Sequence, residues 1–133
     1  MDSVELLREI DRIAGKKALV QDLLLEVNIG GEASKSGFAP EEIPAALETA
    51  SAFSNIRVRG LMTIPPVCER PEQNRAFFLR MQQLFVDNEE KKYDNVSMDF
   101  LSMGMSGDYT EAVACGANLV RVGTAVFGAR IYT

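Results

Sequence analysis

The hydrophobic positions along the chain follow two patterns in turn, one typical of helices and one typical of buried strands. Residues 2–14 carry apolar side chains at helical spacing, at Leu6, Leu7, Ile10, Ile13 and Ala14. This spacing predicts an amphipathic helix with Asp2 or Ser3 as its N-cap and Gly15 as its stop. Residues 23–29, with the sequence LLLEVNI, form a mostly apolar run before two glycines, which predicts a strand covered on both faces.

The same alternation continues to the end of the chain. Helices are predicted at 40–53, 71–90 and 109–115, and strands at 56–64, 96–103 and 118–122. Gly116 is expected to close the short helix 109–115. One helix followed by strands and helices in strict alternation predicts right-handed crossovers and a parallel sheet, so the predicted fold class is α/β.

Four parallel strands suit either an open doubly wound sheet or part of a (β/α)8 barrel. Both architectures gather functional residues beyond the carboxyl ends of the strands. Residues 1–133 have the length of a single domain, whereas a complete barrel needs about 200 residues or more. The chain is therefore expected to be one domain with a single modest core.

Composition removes several classes of function. The net charge of -5, with no basic cluster longer than two lysines, argues against nucleic acid as a partner. No long apolar run or secretion signal is present, which predicts a cytoplasmic protein without membrane contact. The absence of histidine removes Ser-His-Asp chemistry and the common zinc sites, so no metal site is predicted. Cys68 and Cys115 are expected to be two reduced thiols.

Two polar, glycine-lined turns follow the last two predicted strands. The first contains Ser106 and Gly107 ahead of a helix that begins near Asp108, and the second contains Gly123 and Thr124. A serine hydroxyl, unshielded backbone N–H groups and a helix N-terminus together favour an anion. Arg121 ends the last strand and adds planar donors. The pattern therefore predicts a planar heteroaromatic ligand that carries a phosphate.

Simpler interpretations of the same residues stay open. The glycines could only permit turns, and Arg121 could pair with Asp108 or Glu111. Lys35 follows the first strand, where it is either a solvated loop lysine or an amine placed near an aldehyde ligand. The methionines Met62, Met103 and Met105 either fill gaps in the core or line the flat face of a ring.

Four stretches carry a resemblance to a known family. They are VNIGGEASKSGF at 27–38, RGLMTIPP at 59–66, FFLRMQQLF at 77–85, and most of LSMGMSGDYTEAVACGANLVRVGTAVFGAR at 101–130. At these residues the chain resembles the pyridoxal 5'-phosphate homeostasis proteins, relatives of the alanine racemase barrel domain. The resemblance implies a (β/α)8 barrel that binds pyridoxal phosphate (PLP) and has no established turnover.

The resemblance also implies roles for individual residues. Ser106 and the backbone of Gly107, Gly123 and Thr124 resemble phosphate ligands, and Arg121 resembles the partner of the pyridine nitrogen. An arginine there would keep this nitrogen unprotonated, which favours holding the cofactor over fast carbanion chemistry. The predicted cofactor-binding set is completed by residues at or near the other strand ends, namely Asn28, Lys35, Met62 and Met103.

The chain departs from the family in one large respect. It resembles only the later part of the barrel, about four βα units that start just after the fourth strand, and nothing in it matches the motif of the Schiff-base lysine. Its lysines are Lys16, Lys17, Lys35, Lys91 and Lys92. Covalent attachment of PLP is therefore expected to be lost or to pass to Lys35, and phosphate or sulfate could fill the site instead.

Three functions follow from these observations. The first is a non-catalytic PLP carrier or regulator in vitamin B6 and amino-acid homeostasis. The second is a racemase-like enzyme, which would need a lysine and a second acid/base group on opposite faces of the ring. The third is a truncated product without independent activity. Because an isolated half of a barrel has two unpaired edge strands, a homodimer that associates edge to edge is also predicted.

Overall fold

The computed structural model of the chain describes residues 2–33, 35–67, 69–91 and 93–124. These residues form four helices and four strands in alternation, with two short 3-10 turns ahead of the second and third helices, at Pro40–Glu42 and Pro71–Asn74. In chain order the elements are α1 (Val4–Lys16), β1 (Gln21–Glu26), α2 (Ile43–Ser51), β2 (Ile56–Met62), α3 (Arg75–Glu89), β3 (Val96–Met105), α4 (Tyr109–Ala114) and β4 (Leu119–Arg121).

The four strands of the described residues form one sheet in the order β1, β2, β3, β4. Each neighbouring pair is parallel. A doubly wound sheet reverses its strand order at a switch point, whereas a (β/α) barrel adds its strands one after another. The consecutive order confirms the predicted α/β class and corresponds to half of a barrel.

One face of the sheet packs against the helices and contains the core. Fully buried side chains come from every layer, among them Leu7, Leu25, Leu47, Ile56, Val58, Leu61, Phe78, Met81, Leu101 and Met103. Burial of this continuous apolar surface is the main stabilising contribution to the fold. Among the described residues, no helix has the length and apolarity that a membrane span requires.

The opposite face of the sheet carries charged side chains in a hydrogen-bonded row. Arg59 lies between two carboxylates, with Nη1 3.3 Å from Asp22 Oδ2 and Nε 2.9 Å from Asp99 Oδ2. Its guanidinium also stacks over the ring of Phe100, 5.0 Å from the ring centre. Hydrogen bonds from Ser97 and then from Arg59 lower the pKa of Asp99. In this row the positive charge of Arg59 on β2 is paired with carboxylates on β1 and β3, as in the cross-strand ion pairs of other sheets.

The end of α1 differs from the prediction that Gly15 stops the helix. The helix continues to Lys16 and ends in a Schellman turn, in which Leu19 N–H donates to Ala14 O at 3.0 Å. Ala18 takes the left-handed position of this turn, with φ of 54°. Gly15 lies inside the helix beside Asn55, and a Cβ there would lie 2.7 Å from Nδ2 at the end of that side chain.

The first strand also ends earlier than predicted. A strand was expected over 23–29, but β1 ends at Glu26. Beyond it the loop folds back, so that Phe38 N–H donates to Glu26 O at 2.8 Å and Asn28 N–H donates to Phe38 O at 2.9 Å. Val27 N–H still donates to Met62 O at 2.8 Å, and the bonds of Phe38 then hold the loop at the carboxyl edge of the sheet.

Candidate functional site

The turn after β3 is formed by residues 105–108. Met105 N–H donates to Asp108 Oδ1 at 2.8 Å, and Asp108 N–H donates to Met105 O at 3.1 Å. A Cβ built on Gly107 would meet no atom of the described residues within 4 Å, so these residues leave the backbone of the turn accessible. Ser106 is half-buried beside it. The turn therefore combines a hydroxyl with an accessible glycine backbone.

Gly123 and Thr124 follow β4 and are helical. Both are exposed, and a Cβ on Gly123 would meet no atom of the described residues within 4 Å. Since β3 and β4 are parallel neighbours, paired at Met105 and Arg121, the turn at 105–108 and Gly123 lie at the same edge of the sheet. Backbone N–H groups at a helix start and in an open turn can both donate to an anion.

Arg121 reaches from the end of β4 across the carboxyl edge to the end of β2. Its Nη2 donates to Thr63 O at 2.8 Å, and Thr63 Oγ1 in turn donates to Val27 O at 2.6 Å. Burial lowers the pKa of the Arg121 guanidinium, while the charges of Asp108 and Glu26 act in the opposite direction. The guanidinium is thus a fixed, partly desolvated cation.

The Nε atom of Arg121 is buried and has no hydrogen-bond partner within the described part of the chain. A buried donor without an acceptor is costly, and such an atom in a folded protein calls for an explanation. The alternative acceptors considered from sequence are engaged elsewhere: Glu111 accepts from Arg75 at 2.6 Å, and Asp108 accepts from Asn74 at 2.9 Å. A ligand acceptor such as a ring nitrogen fits this atom.

Lys35 lies at the same edge, above β2. Its Nζ donates to Pro65 O at 3.2 Å and lies 3.6 Å from Glu32 Oε1. Asn28 holds the loop that carries it, because Asn28 Nδ2 donates to Glu32 O at 2.7 Å and Glu32 N–H donates to Asn28 Oδ1 at 3.2 Å. The amine is therefore half-buried and oriented.

The three methionines occupy different environments. Met62 ends β2 and is half-buried, and Met105 ends β3 with 44% of its surface exposed. Met103 is fully buried in the core cluster, which favours the packing role over contact with a ligand. Only Met62 and Met105 are therefore placed to contact a ring at this edge.

The structure distributes the predicted residues over the carboxyl edge in two groups. Ser106, Gly107, Arg121, Gly123 and Thr124 lie at the ends of β3 and β4, and Asn28, Lys35 and Met62 lie at the ends of β1 and β2. A cavity of about 320 Å³ adjoins the turn at Gly107 and is bounded by Asn74, Asp108 and the segment that follows β2.

Two residues of this edge were missed from the sequence. Thr63 is fully buried and bonds to both Arg121 and Val27, and Asn74 is 5% exposed and bonds to Asp108. Thr63 directly follows β2, and a polar residue at the end of this mostly apolar strand was a usable signal. Asn74 gave no comparable signal, because it precedes a helix, where asparagine usually acts as a cap.

Comparison with known proteins places the chain in a family. The description "Alanine racemase, N-terminal domain" matches residues 1–131. A pyridoxal phosphate homeostasis protein of Aquifex aeolicus is 44% identical over 132 residues, which are 99% of this chain and 57% of that protein. The corresponding protein of Pseudomonas aeruginosa is 49% identical over 112 residues, covering 84% of this chain and 46% of the relative. The chain thus spans about half the length of these relatives.

Solved structures agree with this assignment. PipY of Synechococcus elongatus, without PLP, superposes with a TM-score of 0.87 at 34% identity, over 96% of this chain and 59% of that one. PipY with PLP bound superposes with a TM-score of 0.82 at 32% identity, over 96% and 58% of the two chains. The resemblance predicted from the sequence is confirmed, and the chain belongs to the alanine racemase N-terminal domain family.

Proposed function

We propose that the chain binds PLP at the carboxyl edge of its sheet and acts as a non-catalytic carrier or regulator in vitamin B6 and amino-acid homeostasis. Arg121 carries this proposal, because its buried Nε lacks an acceptor among the described residues. A pyridine nitrogen is a planar acceptor that matches the guanidinium. The relatives named for PLP homeostasis, and the PLP-bound PipY structure, support the same ligand.

The phosphate would be held by the turn after β3 and by the first residues after β4. The hydroxyl of Ser106 and the backbone N–H groups of Gly107, Gly123 and Thr124 supply donors that are oriented before the ligand binds. Hydrogen bonds to a charged acceptor are each worth about 1.5–3 kcal/mol, roughly twice the value for neutral pairs. Such an arrangement favours a dianionic phosphate over the uncharged hydroxymethyl group of pyridoxal.

The residues around the ring favour binding over turnover. PLP, when bound, supplies a ring that can accept electrons from an attached carbon, and this capacity is greatest when the ring nitrogen is protonated. Arg121 remains protonated in proteins and donates a hydrogen bond without transferring its proton. It would therefore hold the nitrogen unprotonated, and Asn28 and Thr63, which bond to backbone groups, offer no strong base opposite it.

The ring and the phosphate can be tested separately by titrating the protein with PLP and with pyridoxal and following absorbance. We expect PLP to bind at least about tenfold more tightly, because tenfold corresponds to about 1.4 kcal/mol, less than one charge-assisted bond. Ser106→Ala should weaken PLP alone, whereas Arg121→Leu should weaken both ligands. Equal affinities for PLP and pyridoxal in the wild type would show that these residues do not bind phosphate.

Lys35 is proposed as the amine that replaces the missing lysine motif. Its Nζ is oriented at the end of β2 by Pro65 O, on the edge that the ligand would occupy. Borohydride reduction after PLP addition, followed by peptide mapping, should give a single stoichiometric adduct on Lys35. Lys35→Arg keeps the charge and should abolish the adduct. Labelling spread over several lysines, or none, would contradict covalent attachment at Lys35 while leaving noncovalent binding intact.

We further propose that two copies of the chain associate through their strand edges. Gln21–Glu26 forms one end of the described sheet, and the neighbouring Leu19 and Val20 are 42% and 52% exposed. A cavity of about 410 Å³ between α1 and β1 has an apolar lining that includes Ile10, Ile13 and Leu23. Parallel strands are rarely stable when exposed, and two copies would supply the eight strands of a barrel.

A further inference from the structure

Asn74 connects the start of α3 to the turn after β3. It is the last residue of the 3-10 turn Pro71–Asn74, and only 5% of it is exposed. Its Nδ2 donates to Asp108 Oδ2 at 2.9 Å, across 34 residues of sequence. A buried amide that meets a carboxylate in this way is a specific contact between two elements, because both groups lose water on burial.

Asp108 uses its second carboxylate oxygen inside the turn itself. Its Oδ1 accepts from Met105 N–H at 2.8 Å, which closes residues 105–108 into a ring. An aspartate directly before a helix usually accepts from an N–H of the first helical turn. The side chain of Asp108 makes no such bond to α4. Its two oxygens are instead held by Asn74 on one side and Met105 on the other.

We propose that Asn74 and Asp108 are positioning residues for phosphate binding, with Asn74 holding the Asp108 carboxylate on Met105 so that the turn at Ser106 and Gly107 stays open to an anion. This inference rests on the proposed function. Without Asn74, the carboxylate can rotate toward the first amides of α4. There its negative charge repels a phosphate and its oxygens occupy donors at the same edge.

Three substitutions test the geometry of this contact. Asn74→Ala removes the donor and should weaken PLP binding about tenfold, an amount within the range for loss of a hydrogen bond to a charged group. Asn74→Asp places two carboxylates face to face and should weaken PLP binding more. Asp108→Asn leaves one oxygen to serve two donors, so that an amide group opposes either Asn74 or Met105, and it should also weaken binding.

The exchange of both residues provides the matched control. In the double variant Asn74→Asp with Asp108→Asn, the new carboxylate at 74 accepts from the new amide at 108, whose oxygen still accepts from Met105 N–H. Net charge is the same as in the wild type. We expect this exchange to restore PLP affinity to within about threefold of the wild type, since the lost contacts return with donor and acceptor reversed.

Pyridoxal separates positioning of the phosphate turn from general damage to the fold. It has the ring but no phosphate, so its affinity should stay within about twofold in all four variants, by additivity of distant sites. A wild type that does not favour PLP over pyridoxal overturns the proposed phosphate site and this inference together. A wild type that favours PLP, with unchanged preference in Asn74→Ala, overturns the inference alone. Parallel loss of both ligands, or no recovery on exchange, assigns Asn74 a purely structural role and also overturns it.

Discussion

At the scale of single residues, two Schellman turns among the described residues have different residues at the same position. The turn after α4 places Gly116 at φ of 105°, with Ala117 N–H donating to Ala112 O at 3.0 Å. The turn after α1 has the same bonding, but Ala18 takes the left-handed position. A side chain with Cβ there costs about 1 kcal/mol, so α1 ends in a conformation that its sequence does not favour.

We therefore expect Ala18→Gly to stabilise the protein by about 1 kcal/mol, since the native bonds stay and the strain at φ of 54° is relieved. Gly116→Ala is the reverse substitution. It should destabilise by more than about 1 kcal/mol, because the new Cβ would also lie 2.8 Å from Gln82 Nε2. Urea unfolding of both variants measures the difference. A destabilised Ala18→Gly variant would contradict the strain assigned to this turn.

These turns also show what a residue pattern could and could not predict. Gly116 was predicted to close its helix, and it does. Gly15 was predicted to stop α1 on the same rule, and the prediction was wrong, because the helix continues through Gly15 to Lys16. A glycine in a sequence can indicate either a positive φ or a close neighbour, and the sequence alone does not distinguish the two. The neighbour of Gly15, Asn55, is 40 residues away along the chain.

At the scale of elements, β2 and β3 are in close backbone contact at Gly60. Its φ is 152°, and a Cβ there would lie 1.8 Å from the carbonyl oxygen of Phe100. The register between the strands shifts between Val58 and Gly60. Gly60 is therefore needed for the sheet to pass this irregularity, after which Leu61 and Leu101 meet in the core.

Gly60→Ala should destabilise the protein by at least about 3 kcal/mol or prevent folding, since backbone atoms of the neighbouring strand would have to move. Gly107→Ala is the matched control for stability, because its Cβ would meet no atom within 4 Å in the part of the chain that the structure describes. It should change the free energy of unfolding by less than about 0.5 kcal/mol. Thermal unfolding monitored by circular dichroism compares the two. Similar melting temperatures would show that β2 and β3 can separate without cost.

The sequence predicted the kinds of elements and their order correctly, and missed details that depend on contacts across the sheet. Helical and strand periodicity are local, and all eight predicted elements are present. The early end of β1 depends on Phe38 folding back onto Glu26, which no local pattern records. The candidate site shows the same difference. Ser106 and Gly107 are recognisable as a sequence motif, whereas the contact of Asn74 with Asp108 joins residues that are 34 positions apart.

At the scale of the whole molecule, the charged face of the sheet and the β1 edge show how half a barrel could be completed. In a closed barrel the face that carries Asp22, Arg59 and Asp99 would point inward, where charges must be paired. These three residues are already paired within one chain. A second copy could therefore cover this face without leaving an unpaired charge among them, and the apolar edge beside β1 would supply the area for association.

Light scattering coupled to size-exclusion chromatography should give twice the 14.6 kDa of one chain at micromolar concentration. Replacing Leu19 and Val20 with lysine should raise the dissociation constant at least about tenfold, because each loses about 1.5 kcal/mol of burial and edge lysines oppose strand pairing. Val86→Lys, at a 47% exposed position on α3, is the control and should leave the mass unchanged. A monomeric wild type would show that the edge is not a contact between copies. Loss of association in the control alone would move the contact to α3.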